Sequence, residues 1–292
     1  MRTLTLATVL ALAFAASAHA EADWKQVEQV LGREVAGQPG GVHRFSLPRS
    51  DLKVTVDGIA IKPALALGSW LAFKEMNGRA MVMGDLVLTE PEIGPVMSRL
   101  AEGGIEITAL HNHLLRAQPA TFYMHVEGHG DPVKLAQTLR LALEQSRTPL
   151  TLAPAAAEQK GPELDTAALE RVLGRKGKTS GGVYQLSIPR AEMVSANGTE
   201  VPASMGTAIA INFQPLDDGR AATTGDFVLR AEEVNPVLRA LREHGLEVTA
   251  IHNHMLQDEP RLFFMHFWGV DEAGKLAEGL KAALDKVHVA RS

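Results

Sequence analysis

The chain has 292 residues, 46% hydrophobic and 22% charged, with a formal net charge of -5 and no cysteine. That length suffices for one large domain or two ordinary ones. The missing cysteines exclude disulfides, thiolate catalysis and cysteine-ligated zinc or iron–sulfur sites, and the acidic balance with few aromatics argues against a nucleic-acid partner.

Met1 to Ala20 read as a secretory signal peptide, residues 1–20. Arg2 supplies the positive end, and Leu4 to Ala15 form an apolar stretch shorter than the ~20 residues that cross a bilayer. Ala18-His19-Ala20 offers the small residues that a signal peptidase reads, so cleavage is expected before Glu21. A retained N-terminal anchor helix is the alternative. No cysteine follows to carry a lipid, and no later segment is apolar enough to span. The mature protein is therefore expected to be soluble, without a membrane anchor, and periplasmic or secreted.

A first unit, residues 21–152, opens with a short helix over Trp24 to Leu31. Strand-like segments follow at Val42 to Leu47, Lys53 to Ile61, Trp70 to Phe73 and Ala80 to Leu88. Thr89 is a good N-cap, and Glu92 completes a capping box. The helix it opens runs to about Glu102, with Ile93, Val96, Met97 and Leu100 on one face, and Gly103-Gly104 stops it. Ile105 to Leu114 and Ala120 to Val126 alternate as strands around a loop containing Pro119, before a last amphipathic helix over Pro132 to Gln145. Residues 153–161, rich in Ala, Pro, Gln and Lys, read as a linker to a second unit, residues 162–292, which starts with a helix over Ala167 to Leu173.

The second unit repeats the first at a spacing of 141 residues. Gly40 to Arg49 matches Gly181 to Arg190, and Gly84-Asp85-Leu86-Val87-Leu88 matches Gly225-Asp226-Phe227-Val228-Leu229. Gly104 to His113 matches Gly245 to His254, and Met124-His125 matches Met265-His266. The expected fold class is α+β: two tandem repeats, each a mostly antiparallel sheet covered by helices.

Strand period two puts Ile105, Ile107, Ala109, His111 and His113 on one face, so the two histidines end an apolar row. The next strand carries His125. A hairpin centred near Gln118 would set His111 opposite His125 and His113 opposite Tyr123, with Cβ atoms ~5 Å apart. The second unit repeats the set with His252, His254 and His266, centred near Glu259. Three neutral imidazoles on rigid strands suit a divalent transition metal, zinc first, with copper, nickel and iron(II) as alternatives. A metal-free polar site and plain structural hydrogen bonding are the competing readings. Asn112 and Asn253 point away and are expected to tie down backbone.

Glu127, His129 and Asp131 add possible ligands to the first unit, although Asp131 also fits the cap of the last helix. The first unit is accordingly the favoured metal or catalytic site. Phe264 and Trp268 make the second more apolar, suited to a ligand or to packing between units. Asp85 and Asp226 are expected to bond nearby backbone, with a role in orienting an imidazole as the alternative. Glu75 is expected to be solvated. Arg49 and Arg190 would either hold an anion at a rim or cap their strands.

The run Gly-Asp-Phe-Val-Leu, Glu-Glu-Val-Asn-Pro-Val-Leu-Arg-Ala-Leu, Glu-Val-Thr-Ala-Ile-His-Asn-His-Met and Pro-Arg-Leu-Phe-Phe-Met-His-Phe-Trp, between Gly225 and Trp268, resembles the LppY/LpqO family. That is a bacterial envelope family carrying a domain of unknown function. The first unit departs from the pattern at Glu127, where the second has tryptophan. The resemblance implies an exported bacterial protein and brings no reaction with it. Its lipid anchor does not carry over, because the cysteine is missing.

Three functions fit the sequence. The first is an exported metal-binding protein, extending to a metal-dependent hydrolase with an open water position. The second is a metal-free enzyme with histidines as acid and base in a cleft between the units. The third is a non-enzymatic envelope protein that binds a small molecule. Two separate clusters would fit the first, and two facing one cleft the second.

Overall fold

A computed structural model of the protein describes residues 22–76, 78–151 and 162–291. The expected signal peptide and linker lie outside the described residues. The first copy begins with α1 (Trp24–Leu31), capped by the Asp23 carboxylate, which accepts from the Gln26 N–H, and ended by Gly32 at φ 67°. β1 (Ala36–Gln38) and β2 (Val42–Pro48) follow. The single strand expected over Lys53 to Ile61 is instead a small hairpin of β3 (Thr55–Val56) and β4 (Ile59–Ala60). Asp57 and Gly58 have φ of 51° and 82°, which reverses the chain in a two-residue turn. A single turn, α2 (Pro63–Ala66), leads into β5 (Gly68–Met76) and β6 (Arg79–Thr89).

The predicted capping box holds. α3 (Glu90–Glu102) starts after Thr89, whose N–H donates to Glu92 Oε2 at 2.8 Å. β7 (Glu106–His111), β8 (Thr121–Gly130) and α4 (Pro132–Leu143) complete the copy. The second copy runs α5 (Thr166–Leu173), β9 (Lys178–Ser180), β10 (Val183–Pro189), β11 (Ser195–Ala196), β12 (Thr199–Glu200), β13 (Ala208–Pro215) and β14 (Ala221–Leu229). It ends with α6 (Ala231–Glu243), β15 (Glu247–His252), β16 (Asp258–Glu259), β17 (Phe263–Asp271) and α7 (Ala273–Leu284).

Each copy forms a six-stranded antiparallel sheet of one topology, β1-β2-β5-β6-β8-β7 in the first and β9-β10-β13-β14-β17-β15 in the second. The fold is α+β with two repeats, as the sequence leads one to expect. Central strands are buried on both faces, and alternate residues of β6 divide between two cores. Ala80, Val82, Leu86 and Leu88 pack under the helices of their own copy. Met81 and Met83 join the core of the second copy, and Val87 joins a third cluster with Val183, Ala222 and Trp268. The uncovered faces of the two sheets therefore turn toward each other, with helices outside.

Arg49 and Arg190 hold no anion at a rim. Arg49 is fully buried and donates to Glu92 at 2.9 and 3.1 Å, to Asp51 and to the Val87 carbonyl. Arg190 repeats this with Glu233, Glu192 and the Val228 carbonyl. Each bolt ties the end of one strand, β2 or β10, to the first turn of the helix, α3 or α6, that follows the next two strands of the six-stranded sheet.

Candidate metal centre

The repeated Gly-Asp pair builds the floor. A Cβ at Gly225 would lie 1.9 Å from the Ala210 carbonyl oxygen, and one at Gly84 would lie 2.9 Å from that of Trp70. Only glycine lets the neighbouring strand approach so closely. The Gly225 carbonyl then accepts from His266 Nδ1 at 2.8 Å, and bonding to the Gly84 backbone partly offsets the burial of His125. The following residues, Asp85 and Asp226, sit across from these histidines in register: Asp85 pairs with His125 and Asp226 with His266.

The hairpin register differs from the expected one. Ala109 pairs with His125 and His111 with Tyr123, two residues from the expected register, because Gln118 pairs with Thr55 of β3 instead of centring a hairpin. A bulge between Ile107 and Ala109 then shifts the ladder by one more residue. β7 ends at His111, so His113 lies beyond the strand and stacks on Tyr123 at 3.3 Å between ring centroids. Three imidazoles converge nonetheless: His111 is 5.0 Å from His113 and 5.1 Å from His125. The second copy reproduces this, with His252 5.1 Å from His254 and 4.8 Å from His266.

The two clusters are one. His111 stacks on His252 at 3.5 Å, His113 on His266 at 3.7 Å and His125 on His254 at 3.8 Å. A pseudo-two-fold axis passes through the stack, and reciprocal bonds close it: Thr108 Oγ1 donates to the His254 carbonyl and Thr249 Oγ1 to that of His113, each at 2.6 Å. Asn253 ties down backbone as expected, donating to the carbonyls of Thr108 and Met255. Four groups place one ligand atom per residue within 4.8 Å of one another. Two lie within one copy, Asp85–His113–His125 and Asp226–His252–His254; the others, His111–His113–His266 and His111–His125–His252, draw on both.

A family model described as Domain of Unknown Function (DUF1259) matches residues 25–145 and again residues 167–286. The chain belongs to this family. A comparison with curated proteins finds no match. Among solved structures the chain is similar to PduB, a trimeric bacterial microcompartment shell protein, at 12% identity and a TM-score of 0.21, and to EtuB from Clostridium kluyveri, at 9% and 0.20. Each alignment covers 87% of this chain and 90% of the other. At those scores neither carries an argument.

Within the paired DUF1259 copies, the extra ligands expected of the first are elsewhere. Glu127 accepts from Asn197 Nδ2 at 2.9 Å, His129 is exposed, and the Asp131 carboxylate caps α4. Trp268, the counterpart of Glu127, packs between the copies. The favoured asymmetry toward the first copy is thus absent from the cluster. Asp85 and Asp226, expected to bond backbone, also belong to the site: Asp85 Oδ2 is 3.7 Å from His113 Nε2 and Asp226 Oδ2 is 3.3 Å from His254 Nε2, while Asp226 keeps a backbone bond from Met265. Sequence carried a signal for them, the identical Gly-Asp pair in both copies.

Burial dominates the electrostatics. It drives His252 and His266 down to about 4 and holds His113, His125 and His254 well below the usual range, with neighbouring imidazoles adding to the effect on the last three. It also raises Asp226 to about 6 and, helped by the Asp226 charge, lifts Asp85 well above the carboxylate range. A cleft of about 1380 Å³ opens onto the cluster, lined there by Asp85, His113, His125, Asp226, His254 and His266.

Proposed function

We propose that this protein binds a divalent transition metal, zinc first, with imidazoles from both copies, and that an open position toward the cleft serves metal-dependent hydrolysis. The observation that carries this is a set of orphaned buried atoms. Nε2 of His111, His113, His125, His252, His254 and His266, with Asp85 Oδ1 and Asp226 Oδ1, are buried without a hydrogen-bond partner. Each such group costs ~1–3 kcal/mol. A carbonyl can only accept, so the Nδ1 atoms of His252, His254 and His266, bonded to carbonyls of Asn253, Gly206 and Gly225, carry the hydrogen. Their Nε2 lone pairs then point into the cluster, the anchored tautomer of metal-ligating histidine. At Asp226 such a lone pair faces a carboxylate oxygen across 3.3 Å, a repulsion that a cation held elsewhere in the cluster would relieve.

A tetrahedral zinc with Zn–N of about 2.0–2.1 Å holds its nitrogens about 3.4 Å apart. The groups in place, within 4.8 Å, need only a small contraction. We assign the metal to the groups that both copies share, because His111 enters each of them. Bound zinc lowers the pKa of its water to about 7, which supplies a nucleophile near neutral pH. The joined clusters at one cleft are the arrangement expected of the metal-free acid/base reading, but the state of the imidazoles suits it less well. Imidazoles pushed this far down are uncharged at pH 7, so they are poor general acids and weak bases.

Export follows the signal peptide reading and the LppY/LpqO resemblance, and an N-terminus at Glu21 in protein recovered from the cell envelope checks it. The metal reading is tested on untagged mature protein by elemental mass spectrometry and by melting with EDTA and with added zinc. We expect near-stoichiometric metal and a melting temperature that falls with EDTA and returns with zinc, since a ligand of the native state stabilises it. Protein that takes up no zinc, copper, nickel or iron(II) overturns the reading.

A further inference from the structure

The cleft is where the two copies cease to match. On β2, Arg44 lines the cleft with its guanidinium 4.2 Å from the centre of the Trp70 ring, and Nη1 donates to the Ser204 carbonyl at 2.7 Å. Among the described residues no carboxylate comes within ion-pair distance of it. The matching positions of the second copy hold Gln185, whose amide donates to the Ala64 carbonyl at 2.8 Å, and Ala210 in place of Trp70. One wall therefore carries a fixed cation on an aromatic face, and the other a neutral amide.

Asp85, which also lines the cleft, is close enough to act on Arg44, although burial has the larger effect and brings the guanidinium down to about 10, still cationic at neutral pH. One edge of the fork is spent on Ser204 and the Trp70 ring shields one face. The remaining N–H groups make no hydrogen bond among the described residues, and Arg44 lines the cleft, so they are free to receive a planar or tetrahedral oxyanion.

We propose that the cleft takes a small molecule bearing a carboxylate or phosphate, which Arg44 receives against Trp70 while its other end reaches the wall formed by His113, His125 and His266. The proposal rests on the metal reading for that far end only. Its test is calorimetric titration of the zinc-treated full chain with inorganic phosphate and, separately, with acetate. Wild type, Arg44→Gln and Arg44→Lys are compared, and zinc content is measured in each. We expect saturable binding of at least one anion, weakened about tenfold or more in Arg44→Gln and less in Arg44→Lys, at unchanged zinc content. The anion that binds tells a phosphate ligand from a carboxylate one. Equal affinity in Arg44→Gln and wild type overturns the proposal, as does failure of both anions to bind wild type in the millimolar range. Protein without zinc overturns the metal reading alone, because the anion titration still reports on Arg44. Should Arg44→Gln fail to fold, Trp70→Leu keeps the charge and removes its platform, and unchanged anion affinity there counts against the proposal.

Discussion

His252 and His266 titrate near 4 in the folded chain, against an ordinary value near 6.5, because burial disfavours the imidazolium. A depressed folded pKa contributes stability that is complete above pH 6.5 and is lost as pH falls toward 4. Asp226 works in the opposite sense. Raised to about 6, it contributes stability below the ordinary carboxylate value that is lost as pH rises through 6. Six histidines face two such carboxyls, so the imidazoles set the net slope. The melting temperature of EDTA-treated protein is expected to fall steadily between pH 7 and pH 4.5, with a shallower fall in His252→Gln. A flat profile over that range would contradict the burial assigned to the cluster. The aspartates themselves were the residues that sequence left open, since a Gly-Asp pair in a strand serves a bend and a site equally well. What decides between them is the partner across the ladder, His125 or His266, and that register exists only in the sheet.

Among the elements, the two arginine bolts are the most exacting. Burial alone would raise the Glu92 carboxyl, but the hydrogen bonds from Arg49, Thr89 and Arg147 outweigh it and hold its pKa below the usual carboxylate range. Glu233 stands in the same relation to Arg190, Arg230 and His288. Arg49→Leu leaves Glu92 buried and unpaired and is expected to cost about 3–5 kcal/mol in urea unfolding, whereas Arg49→Leu with Glu92→Leu restores much of the loss. A single variant within 1 kcal/mol of wild type would mean that the pair is not bearing that charge, on the same scale of about 3–5 kcal/mol. At this level the sequence was largely readable. The capping box at Thr89 and Glu92 and the apolar row of α3 are local patterns, and they gave helices close to those found. The Asp57-Gly58 turn broke the strand expected over Lys53 to Ile61, where the apolar periodicity outweighed the turn signal. The pairing of Gln118 with Thr55, which displaced the hairpin register, and the bulge between Ile107 and Ala109 have no signature in the residues themselves.

For the whole molecule, the repeat announced two copies but not their docking. Duplication alone is satisfied by beads on a string, and the face that joins them is visible only in the second set of inward residues, Met81, Met83 and Val87, on a strand already buried by helices. Docking those faces turns two histidine clusters into one centre on a pseudo-two-fold axis. Metal content of the His111→Ala variant, beside wild type and a His129→Ala control, tests this most directly. His111 belongs to both shared groups and to neither single-copy group. The account predicts that His111→Ala loses the zinc that wild type and His129→Ala retain. Wild-type zinc content in His111→Ala would contradict it and leave each copy holding metal through its own Asp85 or Asp226 group.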